Sequence, residues 1–338
     1  MTAEATPVAV PVTVLTGFLG SGKTTLLRRI LSEAHGQHIA VIENEYGEIG
    51  IDHELIQGVA GAEQIIELAN GCICCSVRGD LVRVLGDLQG ERGRLGLDRV
   101  VIETTGLADP GPVMRTLARQ GPLHGHYRLD AVITVVDAKH GERTLDEFAE
   151  AQAQVGFADR LLLSKTDLVD GEVTARLTTR LAGMNPYAPI RPVHFGATPI
   201  AELFDVPAPP TGFRRVPVHP RHGDRIGSFA FRATRPFDLA RLDDFLASMV
   251  ELYGADMLRY KGVLDVEGRE ERLIFQGVQT LTDVAWGARW QDDESRKSAL
   301  VFIGRDLPHA LFERGLEGCL LVATCATTLQ PMLAEGAT

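Results

Sequence analysis

VTVLTGFLGSGKTT, residues 12–25, joins an apolar run to a glycine-rich segment and then to a helical pattern. Val12 to Thr16 read as a buried strand. GFLGSGKTT, residues 17–25, fits G-x-x-x-x-G-K-[ST] through Gly17, Gly22, Lys23 and Thr24. The glycines let the backbone curl so that N–H groups point inward at phosphate oxygens. The helix that follows, with Leu26, Leu27, Ile30, Leu31 and Ala34 on one face, aims its positive N-terminus at the same place. Gly17, Gly20, Ser21, Gly22, Lys23, Thr24 and Thr25 are therefore the expected phosphate cradle. Lys23 would reach the β- and γ-phosphates, and the Thr24 hydroxyl would hold Mg²⁺. Strand before and helix after is the context this motif needs.

Working outward, Ile39–Ile42, Arg99–Glu103, Ala131–Val136 and Arg160–Ser164 are further apolar runs that end in polar residues. Such runs suit a mainly parallel sheet covered by helices on both faces, with functional groups at the carboxyl ends of the strands. The expected fold is α/β: a P-loop GTPase domain over residues 1–205. Residues 206–224 are proline-rich and read as a linker. Residues 225–330 read as a smaller, separate α+β domain with an antiparallel sheet, and 331–338 as a disordered tail. In that second half GSFAFRA (227–233) and SALVFIG (298–304) are strands, and two more strands flank a turn at Glu267 and Gly268. Asp238 caps a helix that stops at Gly254, and a final helix lies in PHALFERGLEGCLLV.

Two strand ends add to the site. Glu103 is followed by Thr104, Thr105 and Gly106. Its carboxylate can serve the Mg²⁺ region, and the Gly106 N–H can approach the γ-phosphate. Catalysis is expected to rest on Lys23, Thr24 and Glu103. SKTDL, residues 164–168, resembles the guanine-reading N-K-x-D element. Asp167 would accept hydrogen bonds from guanine N1 and N2, which adenine cannot supply, and the Lys165 stem would lie along the base. Ser164 stands where that element has asparagine, which loosens one contact.

The net charge of −11 argues against general nucleic-acid binding and against anionic lipid surfaces, and no apolar run is long enough to span a membrane. Five cysteines in 338 residues do not make a disulfide framework, so a reducing cytoplasm fits the chain. Three of the five fall within NGCICC, residues 70–75: Cys72, Cys74 and Cys75. Thiolates suit Zn²⁺ and similar soft ions. With no second C-x-x-C pair, a closed four-cysteine site is disfavoured. Small core residues, a redox pair, a structural zinc site and a transferable metal all stay open. Glu43, Glu45, Glu48 and Asp52 follow the second strand in a glycine-containing loop that could act as a switch. Paired histidines at His124/His126 and His219/His222 make only weak metal sites.

Together GFLGSGKTTLL, VIENEYGEIGID, NGCICC, VVIETTGLADP, VVDA and SKTDL, in this order, resemble the CobW-like GTPases, a P-loop family of metal chaperones and insertases. LRYKGVL and LIFQGVQ extend the resemblance into the second half, and the chain is most similar to the short bacterial YjiA-type members. The resemblance implies a GTPase using GTP and Mg²⁺ that binds Zn²⁺, or Co²⁺, at its C-x-C-C cluster and delivers it to a client metalloprotein. It implies Cys72, Cys74 and Cys75 as metal ligands, with Glu43 and Glu48 as the preferred additional ones. The long histidine-rich tract of some members is absent. Turnover without the client is expected to be slow, because no catalytic glutamine or arginine finger stands out. Oligomerisation controlled by nucleotide or metal is compatible with this. The rival readings are a nucleotide-gated zinc sensor or scaffold, and a P-loop kinase acting on a small molecule.

Overall fold

The computed structural model of the chain describes residues 9–32, 36–43, 65–67, 77–118, 123–193, 224–291 and 294–321. Its first part alternates strands and helices: β1 (Val10–Gly17), α1 (Lys23–Ser32), β2 (Ile39–Glu43), β3 (Ile65–Glu67), α2 (Val77–Leu95), β4 (Arg99–Glu103), α3 (Gly111–Ala118) and β5 (Tyr127–Asp137). Next come α4 (Gly141–Glu147), α5 (Ala149–Phe157), β6 (Arg160–Ser164), α6 (Gly171–Met184) and β7 (Ile190–Val193). The seven strands form one parallel sheet in the order β3-β2-β4-β1-β5-β6-β7. All five residues of β2 and of β4 are buried, as apolar runs covered by helices on both faces must be. In α1, Leu26, Leu27, Ile30 and Leu31 are buried as expected; Ala34 lies outside the described residues.

Three strands carried no readable signal. β3 is three residues long. β7, IRPV, holds a proline and an arginine; it pairs with β6 at the end of the described sheet, a position that tolerates proline. β11 (Leu281–Arg289) is exposed along most of its length, so it shows no buried periodicity; its register against its neighbour carries it.

The second part holds β8 (Ile226–Ala233), α7 (Leu239–Tyr253), β9 (Met257–Leu264), β10 (Glu271–Val278), β11, β12 (Ser298–Arg305) and α8 (His309–Gly318). Its antiparallel sheet runs β11-β10-β9-β12-β8. The Asp238 carboxylate accepts from Arg241 N at 3.1 Å and starts α7, and Gly254 follows its last turn, as the sequence predicts.

The second part is less separate than its composition implies. Along β12, Leu300 and Phe302 join Leu242, Leu246, Phe312 and Leu316 beneath α7 and α8, whereas Val301 and Ile303 join the core of the first part. A strand alternates faces, so β12 is buried on both sides, by the helices of its own part and by the core of the first part. Ionic contacts reinforce the junction. Asp159 Oδ1 meets Arg259 Nη2 at 2.5 Å and Lys261 Nζ at 2.6 Å, both from β9, while Asp159 Oδ2 accepts from Val132 N at 2.9 Å. Arg180 of α6 pairs with Asp224 at 2.5 Å, just before β8. Apart from Asp224, the linker expected over 206–224 lies outside the described residues, as does the tail. Among the described residues no helix is long and apolar enough to cross a membrane.

Candidate functional site

Gly17, Glu43, Glu103, Asp137 and Ser164 are the last residues of β1, β2, β4, β5 and β6, so the topology gathers them along one edge of the sheet. This is the edge at which open parallel sheets bind ligands.

The loop between β1 and α1 turns through Gly17, Gly20 and Gly22, with φ of +143°, +69° and +103°. A side chain would strain all three, and a Cβ on Gly17 would stand 2.3 Å from the Val135 carbonyl oxygen. The turn closes with Ser21 N donating to Phe18 O at 3.1 Å, and α1 begins at Lys23. Lys23 is only 8% exposed, and its ammonium folds back to donate to Phe18 O at 3.4 Å. Among the described residues the buried Ser21 hydroxyl has no hydrogen-bond partner. A curled backbone, a helix N-terminus, a buried cation and an unsatisfied hydroxyl make a cradle for a polyanion.

Beside it, Thr24 Oγ1 donates to Glu103 Oε1 at 3.5 Å. Glu103 stands in register with Leu15 of β1 and with Glu43 of β2. In a parallel pair, residues in register share a face, so the two buried glutamates are neighbours at the sheet edge. A hydroxyl and a carboxylate are hard oxygen ligands of the kind Mg²⁺ takes alongside phosphate and water, so the residues present fit that ion. Past Glu103, the loop to Ala108 lies on the phosphate loop: a Cβ on Gly106 would come within 2.6 Å of Leu19 N.

The loop after β6 is braced to the cradle at two points and to the end of β5 at a third. Lys165, in the left-handed region at φ +56°, donates to Gly20 O and to Asp137 Oδ2, each at 2.7 Å. Ser164 Oγ donates to Ser21 O at 2.6 Å. The serine that departs from N-K-x-D thus ties the two loops together in the absence of the asparagine. Next to them is a mainly apolar cavity of about 390 Å³, lined by Thr25, Leu26, Leu162, Lys165, Asp167 and Val193. Its lining is apolar apart from a few polar groups, among them the single carboxylate of Asp167.

The structure therefore brings together Gly17, Gly20, Ser21, Gly22, Lys23, Thr24, Thr25, Glu103, Gly106, Lys165 and Asp167, with Glu43 alongside. Glu48, Cys72, Cys74 and Cys75 lie outside the described residues. Among the described residues no group of three or more His, Cys, Asp or Glu side chains is gathered as a metal would require. Two participants were given no role by the sequence reading, although Asp137 lies within VVDA. Asp137 holds Lys165, and its signal was a lone carboxylate closing an apolar strand. Gln154 of α5, whose amide reaches the Gly106 loop, gave no signal at all.

Comparison with known proteins follows the same division of the chain. The CobW/HypB/UreG nucleotide-binding domain matches residues 11–192, and the cobalamin synthesis protein cobW C-terminal domain matches residues 226–320. The chain is 43% identical over 307 residues to the zinc chaperone YjiA of Escherichia coli K12, spanning 88% of this chain and 95% of that protein. It is 36% identical over 350 residues to the zinc chaperone CobW of Pseudomonas aeruginosa, spanning 92% and 91%. The crystal structure of the Zn(II)-bound YjiA GTPase from E. coli matches with a TM-score of 0.73 at 35% identity, covering 93% of this chain and 99% of that one.

Proposed function

The chain belongs to the CobW/HypB/UreG family of P-loop GTPases, and from that premise we propose that it binds zinc at its C-x-C-C cluster and passes it to a client protein as GTP is hydrolysed. The observation that carries this reading is the cradle itself. Lys23, Thr24, Glu103, Lys165 and Asp167 converge on one sheet edge, and β2 leads from Glu43 at that edge into the acidic segment that precedes the cysteines.

In this reading the Lys23 ammonium leaves Phe18 O for the β- and γ-phosphate oxygens, and the amides of residues 20–24 take the remaining phosphate charge. Thr24 and Glu103 would hold Mg²⁺, whose charge offsets that of the β- and γ-phosphates. Gly106 presents its N–H to the γ-phosphate. Asp167 accepts from guanine N1 and N2, and the Lys165 stem lies under the base. Zinc is cargo, held by Cys72, Cys74 and Cys75 with Glu43 or Glu48. Glu43 would connect the two sites, since it stands beside Glu103 and also opens the segment 43–52.

Nucleotide and metal must then influence each other equally, with a coupling of about 5- to 150-fold in affinity. Zinc titration against a competing chelator, with a non-hydrolysable GTP analogue and with GDP, reads this directly. Equal zinc affinities in the two nucleotide states would defeat the proposal of nucleotide-controlled transfer. Specificity at the base has its own check. Asp167→Asn replaces an acceptor with a group that can also donate, which suits the C2 carbonyl of xanthine better than the C2 amine of guanine. GTP affinity should fall by roughly 10-fold or more, for the loss of a charge-assisted hydrogen bond, while XTP affinity rises. Unchanged discrimination between GTP and XTP would remove Asp167 from the base pocket.

A further inference from the structure

A buried glutamine must find partners for two amide hydrogens and a carbonyl inside the protein. Helix α5 carries two such residues, Gln152 and Gln154, 5% and 1% exposed. Gln154 Nε2 donates to Gly106 O at 3.2 Å and to Ala108 O at 3.0 Å, so both amide hydrogens are used on the loop that lies over the cradle. Gln152 turns to other partners. Its Nε2 donates to Leu145 O at 2.8 Å, and its Oε1 accepts from Arg225 N at 2.9 Å and from Ile226 N at 3.4 Å, where β8 begins. At Gly156 a Cβ would approach Leu258 Cδ1 to 2.7 Å and Ile226 Cγ2 to 3.2 Å, so α5 lies close against the second sheet. At the other end, the ring of Phe148, the residue before α5, stands 4.5 Å from the ring of Phe18 in the phosphate loop. A cavity of about 200 Å³ between Phe18–Ser21 and α5 is lined in part by Gln154.

We propose that Gln154 is a positioning residue for GTP hydrolysis: it holds the Gly106 and Ala108 carbonyls so that the Gly106 N–H faces the γ-phosphate, and α5 carries the resulting loop position to the second domain. The proposal rests on the reading of Gly106 as the γ-phosphate contact. Without the two N–H donors, the Gly106 and Ala108 carbonyls turn toward water and take the loop with them. GDP has no γ-phosphate and does not use this loop, so its binding is the internal control.

The test uses the full chain, wild type and Gln154→Met, which keeps side-chain length and removes both donors. GTP turnover should fall by roughly 10- to 100-fold, the scale of a misplaced reacting group. Affinity for a non-hydrolysable GTP analogue should weaken several-fold, with GDP affinity kept within about twofold. Turnover and analogue binding within twofold of wild type would overturn the proposal. So would an equal loss of GDP and analogue affinity, which marks a purely structural role. Hydrogen exchange of the wild-type chain needs no variant. Amides of residues 106–108 and 225–228 should gain protection together when the analogue replaces GDP, and a response confined to 106–108 would overturn the coupling through α5. Absence of GTP turnover in the wild type would overturn the function and this inference with it. Wild-type turnover that Gln154→Met leaves unchanged would overturn the inference alone.

Discussion

Lys23→Ala is expected to lower kcat/KM for GTP by about 10³-fold, close to 4 kcal/mol of transition-state stabilisation. The size follows from where the ammonium sits. It is buried at 8% exposure, 3.4 Å from Phe18 O, and a neutral water in its place would carry no charge to the phosphates. Alanine removes the cation that lies within the phosphate loop and leaves the amides of residues 20–24. GDP affinity should fall as well, because the proposed role of the lysine includes the β-phosphate. This separates Lys23→Ala from Gln154→Met, which should spare GDP. Lys23→Arg should not rescue, since the broader guanidinium meets a buried site shaped for a single ammonium. Phosphate release at saturating GTP, together with nucleotide titration, measures both effects. Turnover of the alanine variant within threefold of wild type would remove Lys23 from the chemistry.

The largest expected effect on stability is at the junction of the two sheets. Asp159→Asn should destabilise the chain by about 3–5 kcal/mol, the range for breaking a buried ion pair from one side. The Asp159, Arg259 and Lys261 side chains are 6%, 10% and 24% exposed, so the variant leaves two cations facing a neutral amide with little water between them. Burial alone would raise the Asp159 carboxyl above its ordinary value of 3.8, but Arg259 and Lys261 outweigh it and hold it at about 2. A carboxyl whose folded value lies below its unfolded one stabilises fully above the unfolded value. That contribution fades as pH falls from about 4 towards 2. Urea melts should therefore show the gap between wild type and Asp159→Asn at its widest near pH 7 and narrowing below pH 4. Adding Arg259→Met to Asp159→Asn should recover part of the loss, because one of the two stranded cations is gone. A difference below 1 kcal/mol at pH 7, or one that does not change with pH, would show that the cluster does not hold the sheets together.

Much of this protein could be read locally, and the residues show why. Apolar runs such as Val12–Thr16 and Arg99–Glu103 need no partner to be recognised, because a strand covered on both faces advertises itself by composition. Gly17, Gly22, Lys23 and Thr24 were legible because their spacing is imposed by a phosphate, not by neighbours in the fold. β11 was not legible, because an exposed edge strand is specified by register against β10 and leaves no hydrophobic trace. Asp137 and Ser164 were half legible. Their positions at strand ends marked them as polar groups at the binding edge, but the lysine that one holds and the loop that the other ties come from elsewhere in the chain.

By itself, the sequence determined the P-loop, the parallel-sheet architecture, the antiparallel second half and the residue types offered to phosphate, guanine and metal. Each is set by short-range spacing or by strand and helix periodicity, which act within a few residues. Only the tertiary structure decided that the second sheet shares its core with the first, that Glu43 lies beside Glu103, and that Ser164 braces the phosphate loop. It alone set Gln154 against Gly106 and Asp159 against Arg259 and Lys261. The bond from Ser164 to Ser21 alone joins residues 143 positions apart in the chain. Buried polar groups choose such partners by what packing leaves within hydrogen-bond reach, and no local pattern records that choice.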